Sequence, residues 1–130
     1  MKSKIYLFLI TISVFNFISC RKQNDNINPT ITLISPKEND TLANSEKEYT
    51  IQFQAKDETG LLKEKLKVSD QSGVVLTSEE RDLNGTVYSY KNSFIFGGTA
   101  GSLKSLFLEI EIEDEAHNRL TKRISFFVKL

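Results

Sequence analysis

Residues 106–130, LFLEIEIEDEAHNRLTKRISFFVKL, decide the fold that this sequence predicts. Every second side chain in each half of the stretch is apolar: Leu106, Leu108, Ile110 and Ile112, then Ile124, Phe126, Val128 and Leu130. A period of two is typical of β-strands with one buried face and one solvated face. The stretch therefore predicts two strands, 105–114 and 120–130, joined by a turn.

The same period recurs upstream, where Tyr49, Ile51, Phe53 and Ala55 alternate with polar residues. Turn-forming residues separate the alternating segments, and Asn84-Gly85 favours a two-residue hairpin because both residues tolerate a positive φ. These signals predict seven strands, at 30–35, 49–56, 62–69, 74–81, 86–96, 105–114 and 120–130. That count in about 100 residues is typical of an immunoglobulin-like antiparallel β-sandwich.

Two of the predicted turns resemble those of bacterial Ig-like and cadherin-like modules. Residues 55–61 read AKDETGL, which is similar to the A-x-D-x-x-G-L turn of these modules. Residues 114–118 read DEAHN, which is similar to their D-x-A-G-N turn, with His117 where glycine is usual. The resemblance covers residues 29–130. It implies a β-sandwich that serves as a spacer, an adhesion unit or a ligand-binding domain.

Asp57, Glu58, Asp114 and Glu115 are the acidic residues of these two turns. In cadherin-like modules such acids bind calcium between successive domains, and the resemblance implies the same chemistry here. Aspartates also cap turns by accepting backbone N–H bonds through their side chains. Turn capping is the interpretation that we favour, so we predict no cofactor and no metal site, and leave calcium at these four residues open.

A charged face is predicted on one of the sheets. Lys63, Lys65 and Lys67 share one parity of the third strand, and Glu109, Glu111 and Glu113 share one parity of the sixth. These strands are neighbours in an Ig-like sandwich, so the two triplets should face solvent and pair, with Arg123 and Lys129 beside the glutamates. Both an interaction surface and a solvated face that discourages edge aggregation fit the pattern, and we favour the second. Glu64 falls on the opposite, apolar parity.

Four aromatic residues offer a second kind of surface. Phe107 and Phe127 lie on the predicted wet parity of adjacent strands, and the parities of Tyr88 and Tyr90 leave their direction open. Aromatic side chains that point outward form platforms for sugars or for a partner protein. The alternative is that these aromatic residues lie under the tether or under the loop after Phe96, where they would not form a platform.

The sequence predicts neither an enzyme nor a nucleic-acid-binding protein. His117 is the only histidine, and no Ser or Cys nucleophile stands near it in the sequence. No G-x-S-x-G elbow is present. The 17 basic and 17 acidic residues balance, whereas nucleic-acid binders normally carry a basic excess.

The first 19 residues have the composition of a signal peptide. Lys2 and Lys4 form a positive n-region ahead of an apolar run from Ile5 to Ile18. That run is short for a transmembrane span, which needs about 20 residues. It fits the h-region of a secretory signal, and the alternative is a short N-terminal membrane anchor that is never cleaved.

Cys20 is the only cysteine, and it stands between the apolar run and a polar segment. Ile18-Ser19-Cys20 resembles the lipobox of bacterial lipoproteins, including those of Bacteroidota, with Phe17 where Leu is usual. The resemblance implies that Cys20 receives a diacylglyceryl group, with acyl chains such as palmitate, before cleavage. The predicted organisation is a signal peptide at 1–19, a lipidated N-terminus and flexible tether at 20–28, and the sandwich at 29–130.

Together these features predict a non-enzymatic, lipid-anchored protein of the cell envelope. Its Ig-like domain would act as a binding, accessory or adhesion module at the outer membrane, on either the periplasmic or the surface face. The expected partner is an envelope protein or a glycan. The alternative is a small module of an envelope complex that binds carbohydrate or calcium.

Overall fold

The structure is a computed structural model that describes residues 25–43 and 48–130. These residues form eight strands and no helix: β1 (Thr30–Ser35), β2 (Thr41–Ala43), β3 (Glu48–Lys56), β4 (Leu61–Asp70), β5 (Val75–Asp82), β6 (Val87–Ile95), β7 (Leu103–Asp114) and β8 (Arg119–Lys129). No helix capable of spanning a membrane occurs in the described segments. The predicted signal peptide and Cys20 lie outside them.

The strands form two sheets that pack as a sandwich. One sheet has the order β1-β3-β6 and the other the order β2-β8-β7-β4-β5. The run β8-β7-β4-β5 corresponds to the G, F, C and C′ strands of immunoglobulin domains, and β1-β3-β6 corresponds to A, B and E. The predicted all-β sandwich is thus confirmed. The bounds of each of the seven predicted strands differ from those of an observed strand by at most two residues.

Two details of the prediction were wrong. The structure has an eighth strand, β2, which pairs with β8 in parallel, so the five-stranded sheet is mixed. Three residues are too few to show a period of two, and the sequence therefore gave no signal for this strand.

The predicted hairpin at Asn84-Gly85 is the second error. β5 lies at the edge of the five-stranded sheet and β6 at the edge of the three-stranded sheet, so the connection crosses between sheets. Gly85 does have a positive φ of 86°. β6 pairs instead with β3, where Tyr90 stands opposite Phe53 in the register and the two rings stack 5.0 Å apart in the core.

The core follows the predicted parity. On β7 and β8 the buried apolar side chains are Leu106, Leu108, Ile110, Ile112, Ile124, Phe126 and Val128. Tyr49, Ile51, Phe53 and Ala55 of β3 face them from the other sheet. Each large apolar side chain that is removed from water in this way stabilises the fold by about 1.5–3 kcal/mol.

The chain enters the sandwich at one end, which we call the near end. Thr30, the first residue of β1, stands opposite Lys56, the last residue of β3. The loops at 57–60, 83–86 and 115–118 therefore lie at the near end. β8 runs from this end for 11 residues, about 33 Å, to the far end.

Candidate functional site

Three aspartates converge at the near end, and we call them the aspartate cluster. Asp25, Asp57 and Asp114 each place one carboxylate oxygen within 4.8 Å of the others. Asp57 and Asp114 are buried, whereas Asp25 is half-buried. Two members come from the two turn motifs that the sequence singled out, and the third comes from the segment that precedes β1.

Asp57 is held by the turn that follows β3. Its Oδ1 atom accepts hydrogen bonds from the Thr59 backbone N–H at 2.9 Å, from the Thr59 hydroxyl at 2.8 Å and from the Gly60 N–H at 3.0 Å. Burial alone would raise the pKa of this carboxyl group, but the three hydrogen bonds outweigh it, and the pKa lies below its ordinary value. Asp57 therefore keeps its negative charge inside the protein.

Asp114 is held by the turn between β7 and β8. Its Oδ1 accepts the Asn118 backbone N–H at 2.8 Å, and its Oδ2 accepts the Asn118 side-chain amide at 2.8 Å. His117 lies within this turn with a φ of 67°, at the position where the motif usually has glycine. A left-handed residue is thus still required there, and histidine adopts that conformation more often than most residues.

Both turns also bind the segment that leads into β1. The Thr59 hydroxyl lies 2.7 Å from Asp25 Oδ2, so its single proton is shared between this carboxylate and that of Asp57. The two N–H protons of the Asn118 amide are shared among Asp114 and the backbone carbonyls of Asp25 at 3.0 Å and of Ile27 at 3.2 Å. Residues 25–28 of the predicted tether are therefore fastened to the near end of the sandwich.

Close packing holds the two turns against each other. The Glu115 N–H donates to the Gly60 carbonyl at 2.9 Å. Gly60 has a φ of 138°, and a Cβ atom there would lie 2.8 Å from the Glu115 side chain. The φ requires glycine, whereas the exposed and flexible side chain of Glu115 could move away from a Cβ atom. The remaining two candidate acids, Glu58 and Glu115, are exposed and do not belong to the cluster.

The chemistry of the cluster is that of oxygen ligands only. Carboxylates and backbone carbonyls are the ligands that calcium prefers. In the described structure the same oxygens accept N–H and O–H bonds, so the arrangement also serves as a hydrogen-bonded clasp between the tether and the domain. A groove of about 530 Å³ opens beside it, with Asp57 and the exposed Ile27 and Val87 among its lining residues.

The predicted charged face is present on the five-stranded sheet. β4 and β7 pair so that Lys63, Lys65 and Lys67 stand opposite Glu113, Glu111 and Glu109. Lys65 binds Glu111 at 3.2 Å and Lys67 binds Glu109 at 2.8 Å. Arg123 stands opposite Glu109, but Lys129 stands opposite Leu103, so its expected place beside the glutamates was wrong.

The third pair of this face differs from the prediction. Lys63 binds Glu80 of β5 at 2.8 Å instead of Glu113. Glu113 is only 6 % exposed, so its expected solvation was wrong, and it binds His117 at 2.6 Å and Arg119 at 3.0 Å. The hydrogen bond from His117, with the nearby charge of Arg119, lowers the pKa of Glu113 against the effect of burial.

The four aromatic residues do not form an open platform. Tyr90 is buried at 2 % exposure and Tyr88 is half-buried, and both rings pack near Phe53 in the core. Phe107 and Phe127 lie half-buried on the outer face of the five-stranded sheet. The guanidinium group of Arg123 covers Phe107, 4.7 Å from the ring centre.

Comparison with known proteins adds little to this geometry. No protein-family model matches the chain, and no curated protein matches it. Among solved structures it is similar to the crystal structure of CopC from Methylosinus trichosporium OB3b, with 14 % identity and a TM-score of 0.47. That similarity covers 77 % of this chain and 94 % of that chain. A likeness at this level carries no information about a ligand or a site.

Proposed function

We propose that the protein is a non-enzymatic module of the bacterial cell envelope, anchored in the outer membrane by lipid on Cys20. The observation that carries the proposal is the position of the single thiol, five residues before Asp25, where the chain is fastened to the sandwich. Burial of acyl chains contributes about 0.8 kcal/mol per CH₂ group, so more than one chain gives a stable anchor.

The clasp would give this anchored module a preferred orientation. Four residues separate Cys20 from Asp25, and the five Cα-to-Cα steps between them span at most about 18 Å when fully extended. The near end would therefore stay close to the membrane, and the far end would stand about 33 Å beyond it. The far end and the two sheet faces would be available to an envelope protein or a glycan.

Metabolic labelling with a fatty-acid analogue tests the anchor. We expect the wild-type chain to incorporate label and to sediment with outer membranes, and Cys20→Ala to lose both properties. Ser19→Ala is the matched control, because it keeps a small residue before the cysteine and should retain the label. Equal labelling of wild type and Cys20→Ala would overturn the proposal, as would a wild-type chain recovered in the soluble fraction.

Calcium binding at the aspartate cluster is the second candidate function. One observation favours it: carboxylates from three separate segments lie within 4.8 Å of one another, although like charges repel at such distances. A bound calcium ion would neutralise them and strengthen the clasp. The carbohydrate alternative has no comparable support, because Tyr90 is buried and Arg123 covers Phe107.

Calorimetric titration of the full chain with calcium, after treatment with a chelator, tests this candidate. We expect wild type to bind and Asp25→Asn to bind at least about tenfold more weakly, since each charged ligand contributes to affinity. Glu58→Gln removes the same charge from an exposed neighbour of Asp57 and should bind like wild type. No heat of binding in wild type would reject calcium and leave the lipid anchor untouched.

A further inference from the structure

One side of the sandwich is closed by side chains alone, and we call it the seam. β5 and β6 face each other there, but they belong to different sheets and share no backbone ladder. The inward side chains of these two edge strands meet across the gap, above Glu64 of the neighbouring strand β4. Apolar side chains of both strands, such as Leu76 and Phe94, pack against the core there, and polar side chains meet at the level of Glu64.

Glu79 of β5 is the centre of these contacts. Its carboxylate accepts the Tyr90 hydroxyl at 3.1 Å and the Asn92 amide at 3.2 Å, both from β6. Arg81 binds Glu79 at 2.5 Å and also lies over the Tyr90 ring, 5.2 Å from its centre. The negative charge of Glu79 is thus balanced by Arg81.

Glu64 forms no ion pair of this kind within the described residues, and the charge of Arg81 acts on it only from a longer distance. It is completely buried, its Oε2 accepts the Tyr88 hydroxyl at 3.0 Å, and its Oε1 has no hydrogen-bond partner. β5 presents Arg81 and Glu79 to it, and β6 presents Tyr88 and Tyr90. At this level the inward residues of β3 and β7 are apolar: Phe53, Ala55, Ile110 and Ile112.

The charge count of the seam explains why this matters. One guanidinium group, that of Arg81, faces two carboxyl groups, those of Glu64 and Glu79. If both carboxyl groups are ionised, one negative charge has no compensating cation, and Glu64, the carboxyl group that is removed from water, carries it at a high cost. A proton on Glu64 removes that charge and leaves Arg81 paired with Glu79, and the structure contains that pair.

We propose that Glu64 is a proton-operated latch: its proton keeps the seam closed, and loss of that proton loosens β5 from β6. An ionised Glu64 attracts Arg81, which stands directly opposite it in the β4–β5 register. Movement of Arg81 toward Glu64 breaks its pair with Glu79 and its contact with Tyr90. The open side of the domain is then sensitive to the acidity of its surroundings, independently of the lipid anchor.

The direction of the effect follows from linkage. Burial raises the pKa of Glu64 above its ordinary 4.5, aided by Glu79 and opposed by Tyr88 and Arg81. The closed form therefore keeps a proton that the opened form has lost, and closure weakens as the pH rises from 4.5 to the raised pKa. Within that window the opening constant grows by up to about tenfold for each pH unit.

Hydrogen exchange of the full chain in detergent micelles, followed by mass spectrometry from pH 4.5 to 8, tests the latch. After correction for the intrinsic rate, we expect protection of residues 75–82 to fall with rising pH in wild type and to stay constant in Glu64→Gln. Glu80→Gln, on the exposed face of the same strand, should follow wild type. Parallel profiles for wild type and Glu64→Gln would overturn the proposal.

A direct titration keeps the proposal testable if Glu64→Gln does not fold. NMR of wild-type protein with ¹³C-labelled glutamate carboxyl groups should show one buried glutamate with a midpoint raised above 4.5. Tyr88→Phe removes the hydrogen bond that favours ionisation and should move that midpoint up by as much as about one pH unit. Ordinary titration of every glutamate would overturn the latch.

Discussion

The aspartate cluster and the seam both bury carboxyl groups, yet they treat the charge in opposite ways. Asp57 receives three hydrogen bonds on one oxygen, and its pKa is lowered in spite of burial. Glu64 receives one hydrogen bond and leaves its other oxygen without a partner, and its pKa is raised. The number of donors, and not burial alone, decides whether a buried acid stays ionised.

Asp57→Ala should have the largest effect, because it leaves the N–H groups of Thr59 and Gly60 without their acceptor and releases one side of the clasp. We expect the free energy of unfolding to fall by about 2–4 kcal/mol at pH 7, as measured by urea denaturation. The control is Glu58→Ala on the same loop, which should change it by less than about 0.5 kcal/mol. Equal losses in the two variants would show that the hydrogen bonds of Asp57 do not stabilise the fold.

Glu64→Leu should act in the opposite direction. It replaces an incompletely paired buried carboxyl group by an apolar side chain of similar volume, a change that is often stabilising. Tyr88 keeps Arg81 as a hydrogen-bond partner. We expect a gain of about 1–2 kcal/mol at pH 7 in the same urea experiment. A loss as large as that of Asp57→Ala would mean that the two acids are equivalent, and the comparison would fail.

The pH dependence of stability should show both signs within one protein. When a chelator is present to remove calcium, Asp57 contributes stability above its ordinary pKa of 3.8. This contribution is lost as the pH falls toward the lowered pKa that Asp57 has in the folded protein. Glu64 contributes stability below 4.5 that is lost as the pH rises. Thermal unfolding should therefore show a maximum near about pH 4–5, with limbs no steeper than about 1.4 kcal/mol per pH unit from each group.

Variants separate the two limbs of that curve. Asp57→Ala should make the acid limb shallower, because Glu113 with its lowered pKa still contributes to that limb, and should leave the other limb unchanged, whereas Glu64→Gln should flatten only the limb above pH 4.5. A variant that flattens both limbs, or a wild-type maximum near pH 7, would contradict the assignment of the limbs to these residues.

The ion pair between Lys67 and Glu109 should have the smallest effect. Both side chains are about one-third or more exposed, so water and salt screen their attraction. Lys67→Ala should lower the free energy of unfolding by less than about 0.5 kcal/mol in urea denaturation, and 1 M salt should remove the difference. A loss of more than about 1 kcal/mol would mean that charged pairs at the surface matter as much as those inside.

Local patterns predicted the strands well, because the alternation of apolar and polar residues is a property of each segment by itself. That the lysine and glutamate triplets stand opposite each other could also be predicted, because the order of strands in an Ig-like sheet places β4 beside β7. The connection at Asn84-Gly85 was not, because a positive φ serves a turn between sheets as well as a hairpin.

The aspartate cluster was only partly visible in the sequence. Asp57 and Asp114 stood out through their turn motifs, whereas Asp25 is joined to Thr59 and Asn118, which lie 34 and 93 residues away. No short-range pattern reports such contacts. The parity of Glu64 did predict an inward-facing acid. That one of its oxygens has no hydrogen-bond partner could not be predicted, because this depends on how β5 and β6 meet across the seam.

The most direct test of the anchored, oriented module is the distance of each end from a lipid surface. Cys20 is the only native cysteine, so once it is acylated a dye reacts only with an introduced thiol, Glu58→Cys at the near end or Gln71→Cys at the far end. On liposomes that carry a headgroup acceptor dye, we predict strong energy transfer from position 58 and weak transfer from position 71. Equal transfer from both positions, or no binding to liposomes, would contradict the account.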